Sequence, residues 1–418
     1  MIKLQGMYKE RILTSRLRKL VEAFPVVVVS GARQVGKTTL LRHVFPDYDY
    51  VVFDPSIDLE NARSEPDLFL RNHPSPLVLD EIQYAAELVS AIKRHVDASN
   101  SRPGMYLMSG SQQWQVLRSL AESLAGRAAF LDLRSFSLQE AAGAGASPCW
   151  LTRWLTNPHL FVNRAGEATG RFTGALWDWL WRGFLPRVSD LDEELVPEFW
   201  MGYHRTYVER DARMMTDVED WQQFGMFLRL VAALTAQEIN YSQLGREIGM
   251  SPRTARRWLK VLDGTFQWFE IPAFEGNLLK RVSSKPKGYL ADTGLVCHHA
   301  QISSPKALGG HPLLGPLFET ALVNEVLKQA GTLPGRTGFH HWRSAGGAEV
   351  DLLVERDGVF YPFEMKLTAN PSPRDVSGLT AFRRAHPDLQ IAPAAILCPV
   401  ERPRWITEDT AALPWNMI

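Results

Sequence analysis

The 418-residue sequence predicts a multidomain α/β protein. Three observations point there. Residues 1–145 alternate short apolar runs with helical patterns, a tryptophan-rich helical stretch follows, and mixed helix and strand return from about residue 276. At roughly 100–200 residues per domain, the length itself allows two to four domains.

In the first region Val26–Ser30, Tyr50–Phe53, Leu77–Leu79, Met105–Ser109 and Ala129–Leu133 read as strands. Short apolar runs bounded by turn residues are the pattern of a parallel sheet covered on both faces. Residues 146–235 read as a helical lid, with six of the 13 tryptophans lying between Trp150 and Trp200. Residues 236–278 read as a helix-turn-helix and residues 279–418 as a second α/β domain. Gly309–Pro312 and Leu333–Arg336 read as loops.

Lys+Arg and Asp+Glu are both 46, and the 45% hydrophobic content is that of a globular chain rather than a disordered one. The charge is unevenly spread. Ten acidic residues lie between Asp190 and Asp220, and nine basic residues against four acidic ones lie between Arg246 and Lys287. A polyanionic partner would therefore meet one face only. No apolar run approaches the roughly 20 residues that cross a bilayer, and the opening residues lack the apolar core of a signal peptide. The expectation is a cytoplasmic protein with no membrane partner. Cys149, Cys297 and Cys398 are too far apart to frame a zinc cluster or disulfide scaffold.

Gly31-Ala-Arg-Gln-Val-Gly36-Lys37-Thr38 fits the phosphate-loop pattern G-x-x-x-x-G-K-[ST] in full, between a predicted strand and a predicted helix. Glycines let backbone N–H groups wrap phosphates, and the helix start adds positive potential. Lys37 would reach the β and γ phosphates, and Thr38 would offer a hydroxyl to Mg²⁺. The nucleotide-contacting set is Gly31, Arg33, Gln34, Val35, Gly36, Lys37, Thr38 and Thr39. Leu77-Val-Leu-Asp80-Glu81 ends a strand in two carboxylates, Asp80 for the metal and Glu81 to orient an attacking water. Ser111, in Ser109-Gly-Ser111, either senses the γ phosphate or belongs to a turn. Arg127 is either a finger on the γ phosphate, in cis or from a neighbouring subunit, or a structural arginine.

Residues 31–40 (Gly-Ala-Arg-Gln-Val-Gly-Lys-Thr-Thr-Leu), Leu79-Asp-Glu-Ile-Gln83, Ser109–Ser111 and Leu124-Ala-Gly-Arg127 together resemble the prokaryotic AAA-type ATPases that carry a C-terminal nuclease-like domain. Residues 181–187, 207–211 and 286–295 extend the likeness over nearly the whole chain. The resemblance implies a P-loop AAA-type core over 1–145, ATP and Mg²⁺ as cofactors, and homo-oligomerisation through the ATPase domains.

Tyr241 to Lys260 reads as a helix, a turn at Gly249–Pro252 and a second helix capped by Ser251. On the second helix Ala255, Trp258, Leu259 and Leu262 share one apolar face, and Arg253, Arg256, Arg257 and Lys260 form a separate basic stripe. That is the form of a recognition helix entering a groove, read through backbone or shape rather than sequence. A winged helix used only between domains is the other reading.

Glu349-Val-Asp351 and Glu364-Met-Lys366 resemble the core of the PD-(D/E)XK nuclease-like fold. Their relation also follows from the hairpin. With Asp357-Gly358 as a two-residue turn, paired positions sum to 715, so Asp351 and Glu364 face each other at roughly 4.5–5.5 Å between Cβ atoms. Lys366 shares their face. A divalent cation or Lys366 would relieve the repulsion, and a metal there would activate water for phosphodiester cleavage. Glu319 lies on the buried stripe of its helix with Leu322, Val323 and Val326, an expensive place for a carboxylate unless it is paired or metal-bound. In the resembled fold it matches a metal ligand. The other reading is a fold kept for binding without cutting.

Four lesser groups remain. Glu209, Arg210, Asp211 and Arg213 suggest a salt-bridge hinge or an inter-subunit arginine. Lys285, Lys287, Tyr289 and Asp292 suggest phosphate contact or a latch. His298-His299 and His340-His341 lack the spacing of metal ligands. Trp177, Trp179 and Trp181 read as lid core. The leading expectation is an ATP-driven protein that remodels branched or irregular DNA, with possible nuclease action. The alternative is a regulatory ATPase switch with a non-catalytic C-terminal platform.

Overall fold

The computed structural model describes residues 8–54, 60–111, 124–168, 170–208, 221–275 and 284–418. Glu209, Arg210, Asp211 and Arg213 lie outside the described residues. The chain divides into two compact units.

One unit comprises Leu13–Ser135 and Lys260–Gln267. It holds β1 (Val26–Ser30), β2 (Asp49–Val52), β3 (Leu77–Asp80), β4 (Tyr106–Gly110) and β5 (Ala128–Asp132), which among the described residues form one sheet in the order β2-β3-β4-β1-β5. Every pairing is parallel. Each strand lies within one residue of its sequence expectation. β1, β3 and β4 are buried along their whole length, as central strands between helical layers must be. Leu88, Val89, Ala91, Ile92 and Val96 of the helix Leu88–Ala98 pack into the same core as Leu77, Leu79 and Met108.

The other unit comprises residues up to Ile12, Phe136–Leu259 and Trp268–Ile418. The described part of residues 150–233 is mostly helical, with helices Trp150–Thr156, Pro158–Ala168, Leu176–Arg182, Val196–Tyr203 and Trp221–Ala233. Their aromatic side chains pack on the C-terminal part of the chain. Trp150 and Trp154 meet Phe363, and Trp179 meets Trp415. Trp179 and Trp181 are buried as expected, whereas Trp177 is 38% exposed and is not core.

Strands β6 (Gln237–Glu238), β7 (Trp268–Ile271) and β8 (Lys287–Leu290) form an antiparallel sheet in the order β6-β8-β7. Helices Tyr241–Glu247 and Pro252–Gly264 lie between β6 and β7 in sequence. The second is capped by Ser251 Oγ, which accepts from Thr254 N–H at 3.0 Å. Its apolar face is buried, with Trp258 edge-on to Phe224 and Phe227.

A mixed sheet follows, with β9 (Gly338–Arg343), β10 (Glu349–Arg356), β11 (Val359–Met365), β12 (Gln390–Ile391), β13 (Ala394–Cys398), β14 (Arg404–Thr407) and β15 (Thr410–Pro414). Its order is β14-β15-β13-β11-β10-β9, with β12 beside β11. β10 and β11 pair in the expected register, from Leu352 opposite Phe363 to Arg356 opposite Val359. Asp357 and Gly358 both have positive φ, 51° and 79°, the backbone that a tight two-residue hairpin needs. Val376, Leu379 and Phe382, in and beside the helix Ser377–Ala385, pack on Val350 and Leu353 of β10.

Helix Leu314–Ala330 is buried over most of its length, so its polar residues find partners in distant segments. Glu325 accepts from Leu138 N–H at 3.0 Å, Lys328 donates to Phe136 O at 2.7 Å, and Gln329 accepts from Leu151 N–H at 3.0 Å. Asp292 acts as a latch. It caps the helix Thr293–His299 through Gly294 N–H at 2.9 Å and also accepts from Phe184 N–H at 3.0 Å.

Glu140 accepts from the Arg11 guanidinium at 2.8 Å, from Ile12 N–H at 2.8 Å and from Ser137 N–H at 2.7 Å, and both charged side chains are buried. Removing one partner strands the other charge in the core. Glu140→Ala is expected to lower stability by about 3–5 kcal/mol, read from urea unfolding followed by tryptophan fluorescence. The rings of His204, His298 and His299 lie 5.0–5.7 Å apart. Burial, with His204 adding to it, pushes His298 down to about 4 and His299 well below its ordinary value. Between pH 6.5 and 4 the unfolded chain takes up protons that the folded chain refuses. The stability these two histidines contribute is therefore full above pH 6.5 and is lost as pH drops toward 4. His298→Asn should flatten that slope in melts run across the range.

Candidate nucleotide-binding site

The phosphate loop runs from the end of β1 into the helix Lys37–Val44. A Cβ at Gly31 would stand 2.1 Å from Leu133 O, so the loop passes β5 at a distance only glycine allows. Gly36, at φ 94°, turns the chain into the helix. Lys37 is buried, and its ammonium donates to Gly31 O at 2.8 Å and Ala32 O at 2.9 Å across the loop mouth. Val35 is buried beneath the loop, and Arg33 donates to Tyr84 Oη at 3.1 Å. Gln34 and Thr39 lie on the loop and in the helix's first turn.

Asp80, at the buried end of β3, collects hydroxyls from three other segments. Thr38 donates to it at 2.6 Å, and Tyr50 of β2 and Ser109 of β4 also donate to it. Burial, with the neighbouring Asp80 second, raises the Tyr50 phenol well above its ordinary range and keeps it a donor. Glu81 sits in the left-handed region at φ 59°, with its N–H 3.3 Å from Ser109 Oγ. Gln83 Nε2 donates to the Glu81 carboxylate and, at 3.2 Å, to Ser111 Oγ. Tyr50 and Gln83 were not singled out from sequence. Tyr50 reaches Asp80 across a strand pairing that local pattern does not reveal, while Gln83 stood two residues from Glu81 in the quoted motif.

The donor set fits ATP and Mg²⁺. A hydroxyl and a carboxylate in contact are hard oxygen ligands, and a glycine-bearing loop beside a buried ammonium suits phosphates. Thr38 and Asp80 would hold the ion, and Lys37 would meet the β and γ phosphates. When bound, Mg²⁺ neutralises charge that builds on the phosphates during transfer.

Arg127 lies elsewhere. β1 and β5 are parallel with Val26 beside Ala128, so Arg127 stands at the opposite end of the sheet from the loop that follows Ser30. Its guanidinium pairs with Asp97 at 2.6 and 3.0 Å. A finger acting in cis is thereby excluded.

Arg253, Arg256, Arg257 and Lys260 are all exposed on the helix Pro252–Gly264, opposite its buried face. Arg256 lies over the Tyr241 ring at 5.1 Å.

The C-terminal carboxylates gather as the hairpin register requires. Lys366 pairs with Glu364 at 2.6 Å. Lys287 of β8 donates to Glu319 at 2.7 Å and to Asp351 at 3.2 Å, and Tyr289 donates to Glu319 at 2.7 Å. Burial and the nearby Asp351 raise Glu319 to about 7, against the pull of Lys287. Burial opposes the Lys287 charge, but Glu319 and Asp351 outweigh it and hold the ammonium above the usual lysine range. Lys366, placed with the metal set by sequence, is a counter-ion. The pairing role of Lys287 was not legible, although Lys287 and Tyr289 alternate on one strand face.

Residues 23–142 match the family model described as an AAA domain. They hold an α/β, P-loop ATPase-like core around the parallel sheet. Residues 173–306 and 314–418 match two models, each described as a domain of unknown function. The uncharacterized proteins Rv2008c of Mycobacterium tuberculosis and Mb2031c of Mycobacterium bovis are each 28% identical over 411 residues, covering 98% of this chain and 84% of theirs. Among solved structures, the Walker-type ATPase PABY2304 of Pyrococcus abyssi is 16% identical with a TM-score of 0.41, covering 70% of this chain and 96% of its own. The Thermotoga maritima RuvB Holliday junction branch migration motor is 14% identical with a TM-score of 0.31, covering 65% and 94%. At such scores the likeness carries no argument. Among the described residues, no helix is long and apolar enough to cross a membrane.

A Cβ at Gly31 forces the loop off β5. Gly31→Ala is expected to weaken binding of a fluorescent ATP analogue at least about tenfold while the chain still melts cooperatively.

Proposed function

We propose that this chain is a Mg²⁺-dependent ATPase that binds and remodels branched or irregular duplex DNA in the cytoplasm. The contact of Thr38 with Asp80 beside Lys37 carries the ATPase half. Glu81 is its water-orienting carboxylate, and Ser111, tied to Glu81 through Gln83, is the residue that responds to the γ phosphate. The exposed stripe of Arg253, Arg256, Arg257 and Lys260 carries the DNA half, because its helix has a buried back and a solvent-facing row of cations for phosphates.

The element order supports a winged-helix reading over 236–278 and the start of the next segment. Helix Trp221–Ala233, β6, two helices and the β7–β8 pair follow one another, with β8 between β6 and β7. The sheet and buried carboxylates after residue 279 support a nuclease-like reading of the C-terminal segment. Residues 146–235 are a helical lid in our division. We assign Arg127 to a neighbouring subunit's nucleotide within a homo-oligomer formed by the ATPase domains. Metal-dependent cleavage, the remaining part of the sequence expectation, requires a cation where Lys287 now sits. That one observation favours a second reading, a regulatory switch with a non-catalytic C-terminal platform.

Steady-state ATP hydrolysis with no DNA, linear duplex, single strand and a four-way junction at fixed salt separates the two. One DNA form should stimulate the wild type, Lys37→Ala should abolish hydrolysis, and alanine at the four stripe cations should keep basal turnover but lose stimulation. Each stripe cation that neutralises a phosphate steepens the log–log salt dependence of duplex binding by about 0.9, so its replacement by alanine should flatten the slope by that amount. Equal rates with every DNA form would remove the DNA reading and leave the switch.

A further inference from the structure

The C-terminal centre brings Glu319, Asp351 and Glu364 together, and its positive charge is already in place. Lys287 Nζ bridges Glu319 Oε1 and Asp351 Oδ1. Asp351 Oδ2 accepts from Met365 N–H at 2.9 Å, Glu319 Oε1 also accepts from Tyr289, and Lys366 holds Glu364 Oε1. Of the buried oxygens in these three carboxylates, Glu364 Oε2 alone lacks a hydrogen-bond partner. Among the described residues, no group of three His, Cys, Asp or Glu is arranged to hold a metal ion.

A hard divalent cation takes six or more oxygens at roughly 2.0–2.6 Å. Here Glu319 Oε1 and Asp351 Oδ1 both face one ammonium, and a second cation cannot share them. The two lysines differ in whether they can give way. Lys366 is 36% exposed at its side chain and can swing into water, whereas the Lys287 side chain is 9% exposed. Lys287 also lies on β8, paired on one side with Glu238 of β6 and on the other with Ile271 of β7. Moving its ammonium aside would bury an unpaired charge and leave Glu319 and Asp351 repelling each other.

We propose that Lys287 is the resident cation of this centre, standing where a metal-dependent nuclease would hold its divalent ion. The C-terminal segment then binds its partner without cutting phosphodiester bonds. This narrows the DNA reading above and does not depend on the ATPase reading.

The test is Mn²⁺ binding to the full-length chain without nucleotide, followed by the electron paramagnetic resonance signal of free Mn²⁺. An Asp80→Asn background silences the phosphate-loop metal site. That chain should show no saturable Mn²⁺ binding that depends on Asp351. Lys287→Met on the same background should gain a saturable site at least about tenfold tighter than any residual binding. Adding Asp351→Asn should abolish it. Saturable binding by the Asp80→Asn chain that disappears with Asp351→Asn overturns the proposal, as does a folded Lys287→Met chain that gains no site. The first comparison leaves Lys287 intact, so it decides the matter even where Lys287→Met does not fold. ATP hydrolysis enters none of these readouts, so their failure is distinct from failure of the ATPase reading.

Discussion

Burying the carboxylate of Asp80 at the end of β3 obliges its surroundings to supply donors. They come from β2, β4 and the first turn of the loop helix, as Tyr50, Ser109 and Thr38. One charge thus sets the relative height of three parallel strands and the helix that carries the phosphate loop. Those donors are hydroxyls, which satisfy the carboxylate without cancelling it. The negative field remains available to an arriving cation.

The C-terminal centre meets the same problem in the opposite way. Its three carboxylates meet two ammonium groups, so most of the charge is neutralised within the fold. Hydroxyl donors leave a site that a metal can complete, and a buried lysine leaves one that is already complete. Similar acidic residues at two strand ends therefore have different chemical futures, decided by their neighbours rather than by themselves.

What could be read from sequence follows the range of the interaction. The five strands of the first sheet came from local apolar runs, each within one residue. The pairing of β10 with β11 came from Asp357-Gly358, since a two-residue turn dictates every opposing pair up the hairpin. The capped helix Pro252–Gly264 and its buried face were equally local. Lys287 and Tyr50 were missed as partners because each meets its carboxylate across separate elements. No period within β8 tells which of several acidic helices or strands will lie against it. The packing of Trp150 and Trp154 on Phe363 escaped for the same reason. An aromatic cluster announces a core but not the other wall of that core.

The left-handed backbone at Glu81 has a further consequence. Glycine occupies that conformation at no steric cost, whereas a side chain with a Cβ holds it at some expense. Selection for a sturdier fold would therefore drift toward glycine at position 81, and in doing so erase the acid that follows Asp80. If Glu81 orients the attacking water as proposed, durability and turnover pull this one residue in opposite directions.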